Sequence, residues 1–110
     1  GPSMLPTLHV QGDWLAYDRI SHRMGWLKPG DVVLCVSPSD PNRLICKRLL
    51  GMPGDRIIHD PRKSDSPTIE VPPGHIWIQG DNMGYSIDSR LYGPLPMGLL
   101  FGKVWAIVSF

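Results

Sequence analysis

The sequence predicts an all-β protein, a single domain of bent antiparallel sheets. Twelve glycines and twelve prolines divide the 110 residues into short segments, which favours strands and turns. Runs such as VVLCV (32–36) and HIWIQ (75–79) are rich in β-branched and aromatic residues. No segment keeps a helical period. A chain of this length supports one hydrophobic core, so we expect one domain over residues 1–110.

Seven extended runs are expected to form the strands. The last run either bends at Gly102 or forms two strands, because glycine in a strand often marks a bend. Residues 80–96 contain too many turn formers to be helix or strand throughout. The runs are WLAY (14–17), VVLCV (32–36), LICKRLLG (44–51), RIIH (56–59), TIEV (68–71), HIWIQG (75–80) and LLFGKVWAIV (99–108).

Composition excludes several classes of protein. Apolar residues make up 42% and charged residues 19%, as in globular domains. A net charge of +1 gives no basis for binding nucleic acid. No run reaches the 18 or so apolar residues of a membrane-spanning helix. The four histidines lack the spacing of metal ligands, so neither a metal nor another cofactor is expected.

Two short apolar stretches each leave alternatives open. Cys35 and Cys46 lie in strand-like runs, where a free thiol behaves as a small hydrophobe; a disulfide is the second interpretation. The other stretch belongs either to the core or to a surface that touches a membrane interface, where tryptophan is favoured; it consists of Met24, Gly25, Trp26 and Leu27.

Lys47 raises the main functional question, because it lies in an apolar run. Side chains alternate along a strand, so Ile45, Lys47 and Leu49 share one face, and Arg48 lies on the other. Burial lowers the pKa of a lysine, and a neutral amine is a possible general base. The strand alone favours a different interpretation, in which Lys47 reaches solvent at a sheet edge.

A base needs a nucleophile, and Ser3 is a candidate. Pro2 and Pro6 stiffen the segment around it and disfavour helix. Taken alone, Ser3 is an ordinary polar residue near a terminus. The loop GDNMGYSIDSRLYG (80–93) is the third candidate element. Its polar side chains either form hydrogen bonds with the loop's own backbone or orient catalytic groups.

Four segments together resemble the conserved boxes of type I signal peptidases. They occur in the family's order and span almost the whole chain, and the fold implied is an all-β one of bent antiparallel sheets. The CKR run, the DSR-x-YGP-x-P ending and the GPSM opening resemble the mitochondrial inner-membrane members most. The segments are PSMLPTL, GDVV, KRLLGMPGD and GDNMGYSIDSRLYG.

The resemblance implies a role for each matching residue. Ser3 corresponds to the nucleophile, Lys47 to its general base and Ser86 to the hydroxyl that orients the lysine amine. Two further groups support the site. They are Asp88 with Arg90, as an ion pair, and Asp81 with Asn82, at the start of the structural loop; Met4 adjoins the nucleophile beneath the substrate.

One position departs from the pattern. Several bacterial members carry a hydroxyl two residues before the nucleophile, where it completes the oxyanion hole, and here that position is Gly1. Another donor must replace it, since loss of one donor typically costs ~10²–10³ in rate.

The implied activity is removal of N-terminal presequences or signal peptides from membrane-tethered precursor proteins. The mitochondrial resemblance implies the inner membrane, facing the intermembrane space, and a related second peptidase subunit as partner. We also expect a membrane anchor upstream of residue 1. The alternatives are a bacterial or plastid signal peptidase I and a self-cleaving repressor-type Ser–Lys peptidase; the latter is disfavoured by the GDN…DSR box.

Overall fold

Most of the predicted extended runs pair into one antiparallel sheet. The computed structural model describes residues 5–23, 25–82, 84 and 86–108, without the side chains of residues 22 and 108. Nine strands lie in this part of the chain. They are β1 (Thr7–Val10), β2 (Asp13–Asp18), β3 (Val32–Ser37), β4 (Asp40–Gly51), β5 (Arg56–Ile58), β6 (Thr68–Glu70), β7 (His75–Gln79), β8 (Leu95–Pro96) and β9 (Leu100–Val108).

Seven strands form the main sheet, in the order β1-β2-β9-β3-β4-β7-β8, and β5 and β6 form a separate hairpin. All pairings are antiparallel. The all-β prediction is confirmed. Helix in the described part of the chain is limited to α1 (Ile20–Arg23), α2 (Ser89–Tyr92) and a 3-10 turn (Met97–Leu99), and none of these is long enough to span a membrane.

Register shifts bend the sheet. Between β2 and β9 the shift follows Ala16, and between β3 and β9 it follows Leu34. An extra residue in one strand bends it and increases its twist. Strand β9 is continuous, so the single bent strand of the two alternatives is the one observed. A side chain at Gly102 would overlap the carbonyl oxygen of Asp18, which explains the glycine beside the bend.

The core is divided between the two faces of the sheet. One face carries Val33, Ile45 and Leu49, and the opposite face carries Leu15 and Leu34. Strand β3 contributes to both, because its alternating side chains are buried on both sides. Strand β4 also lies in the interior of the sheet, because β3 and β7 flank it.

The structure decides the first of the two open alternatives and bears on the second. Cys35 and Cys46 are free thiols. They pair with Ile45 and Leu34 respectively, so alternation places them on opposite faces. Leu27 is buried in the core, whereas Trp26 is exposed.

Two local expectations were incomplete. Strand β4 begins at Asp40, earlier than the predicted run at 44–51, because the hairpin continues the β3–β4 ladder after a register shift. The segment Thr7–Val10 was not expected to be a strand; it forms an edge strand on β2 through four register pairs.

Candidate active site

Lys47 lies in an interior strand. The strand sequence alone had favoured a position at a sheet edge. Strand β4 is flanked by β3 and β7, and Lys47 pairs with Val33. Ile45 and Leu49 are buried on the same face, and Lys47 itself is partly buried. The predicted alternation of side chains is therefore present, and Lys47 extends from a face of β4 whose neighbouring side chains are apolar.

Ser86 holds the Lys47 amine. The Nζ atom donates a hydrogen bond to Ser86 Oγ at 3.0 Å. The Ser86 hydroxyl in turn donates to the Asp88 carboxylate, and this bond helps to lower the pKa of Asp88. Because a hydroxyl has one proton, Ser86 can only accept from Lys47. One N–H of the amine is therefore committed to Ser86.

Asp88 and Arg90 form a buried ion pair behind Ser86. Arg90 Nη2 lies 2.8 Å from Asp88 Oδ2, and Arg90 Nε lies 3.0 Å from Oδ1. The two side chains are 0% and 3% exposed respectively, which excludes a loosely solvated pair. Burial raises the pKa of Asp88, but bonds from Arg90, Gly80 and Ser86 outweigh it and hold the pKa at about 2. The carboxylate is thus a fixed acceptor at neutral pH.

The turn at residues 88–93 positions this pair. Asp88 caps α2, since its side chain also accepts from the backbone N–H of Arg90 at 3.1 Å. The Ser89 hydroxyl accepts from the N–H of Ile78 at 3.0 Å, which ties α2 to β7. His59 Nε2 lies 2.9 Å from the carbonyl oxygen of Arg90, so the hairpin also supports the helix.

Gly80 is a site residue that the sequence did not single out. Its N–H donates to Asp88 Oδ2 at 2.8 Å. A Cβ atom here would overlap the Ser86 hydroxyl and lie 3.5 Å from Lys47 Nζ. Only glycine lets the backbone pass this close to both groups. The available signal was a glycine directly after a buried strand, which indicates close approach of a backbone.

The loop over residues 80–88 holds β4 from both faces. Ser86 binds Lys47 on one face, and Asp81 binds Arg48 on the other through two bonds of 3.2 and 2.9 Å. Arg48 also donates to the carbonyl oxygen of Gly30. Asp81 and Asn82 are exposed, and Asp81 lies on the face of β4 opposite the amine. Asp81 thus contacts the strand through Arg48.

An open groove of about 410 Å³ lies in front of the Lys47 amine. Ile45, Lys47, Ile87 and Tyr92 line it together with polar side chains. The polar residues are Gln11, Ser37, Ser39 and Arg43. The groove is large enough to hold several side chains of an extended peptide.

Two of the predicted site residues, Ser3 and Met4, lie outside the described residues. The described chain therefore contains the base side of the expected dyad, namely Lys47, Ser86 and the ion pair. It contains no group of three His, Cys, Asp or Glu side chains able to hold a metal ion.

The described residues thus form a mostly antiparallel sheet in which Ser86 and a buried ion pair support Lys47, and comparison with known proteins gives the family. The family described as signal peptidase, peptidase S26, matches residues 1–63 and 58–109. The chain therefore belongs to the signal peptidase S26 family.

Several similar proteins are named as mitochondrial proteases. Mitochondrial ATP-independent inner membrane protease subunit 1a of Arabidopsis thaliana is 52% identical, over 94% of this chain and 63% of its own length. Mitochondrial inner membrane protease subunit 1 of Schizosaccharomyces pombe is 48% identical, over 98% and 69%. Subunit 2 of the Saccharomyces cerevisiae protease is 39% identical, over 98% and 64%. The chain thus spans 63% to 69% of the length of these relatives. For two of the three the share is less than two thirds.

A solved structure supports the fold. A crystal structure of a signal peptidase I from Enterococcus faecalis superposes with a TM-score of 0.61 at 19% identity, covering 72% of this chain and 97% of that one. At this identity the likeness concerns the fold alone.

We predict that Gly80→Ala disables the site with little loss of fold. The new methyl group must displace Ser86 or move the backbone, and the Lys47 amine then loses its partner. A misplacement of about 1 Å can cost ~10²-fold in rate, so we expect peptidase activity to fall about 10- to 100-fold. The control is Gly98→Ala, whose added carbon meets nothing within 4 Å. Equal activity in the two variants would contradict the proposed packing.

We also predict that Asp88→Asn is strongly destabilising near neutral pH, by about 3–5 kcal/mol, because it leaves the Arg90 charge buried without its partner. The folded-state pKa of Asp88 is lowered, to about 2. Its stabilisation is therefore complete above the unfolded pKa near ~3.9 and is lost as pH falls from about 4 towards 2. Urea unfolding at pH 7 and at low pH measures this.

The matched control for that experiment is Asp81→Asn. It removes an exposed ion pair, for which we expect a cost of ~0–1 kcal/mol. The difference in free energy of unfolding between wild type and Asp88→Asn should become smaller in acid. A difference that stays constant down to pH 2 would contradict the lowered pKa of Asp88.

Proposed function

We propose that residues 1–110 are the catalytic domain of a Ser–Lys endopeptidase that removes N-terminal presequences or signal peptides from membrane-tethered precursor proteins. The observation that carries the proposal is the bonded series from Lys47 through Ser86 to the buried Asp88–Arg90 pair. An isolated surface lysine would not need such support. Family membership agrees with the same chemistry.

The geometry around Lys47 suits a general base. A neutral amine has two N–H groups and one lone pair. Ser86 can only accept, so it fixes one N–H and limits how the amine rotates. The lone pair is then free to face the groove, where the substrate would bind.

The reaction follows the acyl-enzyme route. Lys47 takes the proton from Ser3 as its oxygen attacks the scissile carbonyl. The resulting ammonium returns the proton to the leaving amine as the C–N bond breaks. Water then attacks the ester carbonyl as Lys47 accepts one of its protons. The ester C–O bond breaks, and Lys47 returns that proton to the Ser3 oxygen, which restores both groups. This is a convergent variant of the serine-protease arrangement, and it requires no metal.

The groove supports binding of an extended peptide. Its floor includes Ile45 and Lys47 of β4, and a substrate strand lying along it would place alternate side chains towards Ile87 and the polar lining. The proposed substrates are therefore flexible segments next to a membrane anchor rather than folded domains.

The names of the relatives support a cellular setting at the mitochondrial inner membrane. We propose that the protein acts there on the intermembrane-space side. Relatives named subunit 1 and subunit 2 both align along nearly all of this chain. A related second peptidase subunit is therefore the proposed partner.

The direct test uses the full-length protein with its partner and a membrane-tethered precursor. Ser3→Ala and Lys47→Arg should each abolish cleavage, because the first removes the nucleophile and the second installs a guanidinium that cannot be deprotonated. Mass spectrometry of new N-termini measures the outcome. Lys63→Arg, an exposed lysine on the loop between β5 and β6, is the control and should stay active.

Retained cleavage in Lys47→Arg would remove the lysine from the mechanism. Retained cleavage in Ser3→Ala would require another nucleophile and would reject the proposed reaction.

A further inference from the structure

Tyr92 adds a phenol to the groove that contains Lys47. It is the last residue of α2, four positions beyond Asp88, and it lines the groove with Lys47 and Ile87. Its side chain is 36% exposed. Its hydroxyl has no hydrogen-bond partner among the residues that the structure describes. A partly buried phenol facing a groove in this way has a donor available for whatever the groove binds.

Tyr92 keeps its proton under working conditions. Burial raises its pKa to about 12, and the negative charge of Asp88 adds to the effect. A neutral phenol can donate a hydrogen bond, whereas a phenolate could only accept one. Asp88 therefore supports both groups, since it orients Lys47 through Ser86 and favours the protonated form of Tyr92.

The proposed reaction needs a donor of this kind. The tetrahedral intermediate carries a negative oxygen, and such oxyanions are stabilised by preorganised donors. Ser3 can offer its backbone N–H. The residues before it offer little, because Pro2 has no N–H and Gly1 has no side chain.

We propose that the Tyr92 hydroxyl completes the oxyanion hole by donating a hydrogen bond to the carbonyl oxygen of the scissile peptide. This inference rests on the function proposed above. As the Ser3 oxygen bonds to the carbonyl carbon, the Ser3 proton passes to Lys47 and the carbonyl π pair moves onto oxygen. Tyr92 stabilises that charge and keeps its own proton. When the pair returns, the C–N bond breaks and the leaving amine takes the proton from Lys47.

Tyr92→Phe tests the inference, because it removes one hydroxyl and keeps the ring. We expect kcat to fall ~10²–10³-fold, as for loss of one oxyanion donor elsewhere, with KM within about twofold of wild type. Affinity for a peptide aldehyde, whose adduct with Ser3 carries the same oxygen, should fall as well. The control is Tyr17→Phe, a ring packed against Phe101 in another part of the sheet, which should keep wild-type kinetics.

Three results would overturn the assignment. They are an unchanged kcat, a rise in KM alone, which would make Tyr92 a ground-state contact, and unchanged aldehyde affinity. Thermal unfolding of Tyr92→Phe shows whether a change in kinetics reflects the missing hydroxyl or a folding defect. Ser3→Ala and Lys47→Arg, measured in parallel, separate failure of this inference from failure of the proposed function. If both abolish cleavage while Tyr92→Phe is neutral, only the oxyanion role is rejected.

Discussion

The hydrogen bond from Lys47 Nζ to Ser86 Oγ is the interaction on which the proposed chemistry depends. A lysine side chain has four rotatable bonds and cannot hold a direction unaided. The loop after β7 supplies the constraint, because it reaches Lys47 on one face of β4 and Arg48 on the other. Lys47 and Arg48, which are adjacent in β4, therefore both bind this loop. The loop in turn holds the Lys47 amine in place.

The buried Asp88–Arg90 pair gives that arrangement its rigidity. An ion pair of this kind is weak evidence for stability, because desolvation offsets much of the attraction. Its contribution here is to orient the Ser86 hydroxyl. An ionised Asp88 accepts from the Ser86 hydroxyl, the Gly80 backbone and Arg90 together, and so determines which way Ser86 faces. The absence of a side chain at Gly80 allows these groups to meet.

Much of the fold could be predicted from the sequence, because β-branched runs and turn residues are local signals. The faces of Lys47 and Arg48 followed from strand alternation alone. Edge strand β1 was missed because TLHV lacks a strong alternating pattern, and it forms through pairing with β2. The interior position of β4 also escaped prediction, since strand order depends on contacts distant in sequence.

The candidate site was predicted unevenly for the same reason. Ser86, Asp88 and Arg90 were identified through resemblance to a family, and the structure shows how they are joined. Gly80 was missed because the role of a glycine without a side chain depends on what approaches it. Tyr92 was missed because neither its sequence position nor its residue type indicates that it shares a groove with Lys47.

The most direct measurement compares kcat and KM for Ser86→Ala and Ser89→Ala, two nearby serines with different partners. Ser89 binds the backbone of Ile78, so its loss should reduce stability and leave kcat of the folded protein near wild type. Loss of Ser86 should lower kcat by ~10²-fold with little change in KM, because only the base is misdirected. A Ser86→Ala enzyme with normal kcat, or with a raised KM alone, would contradict the account.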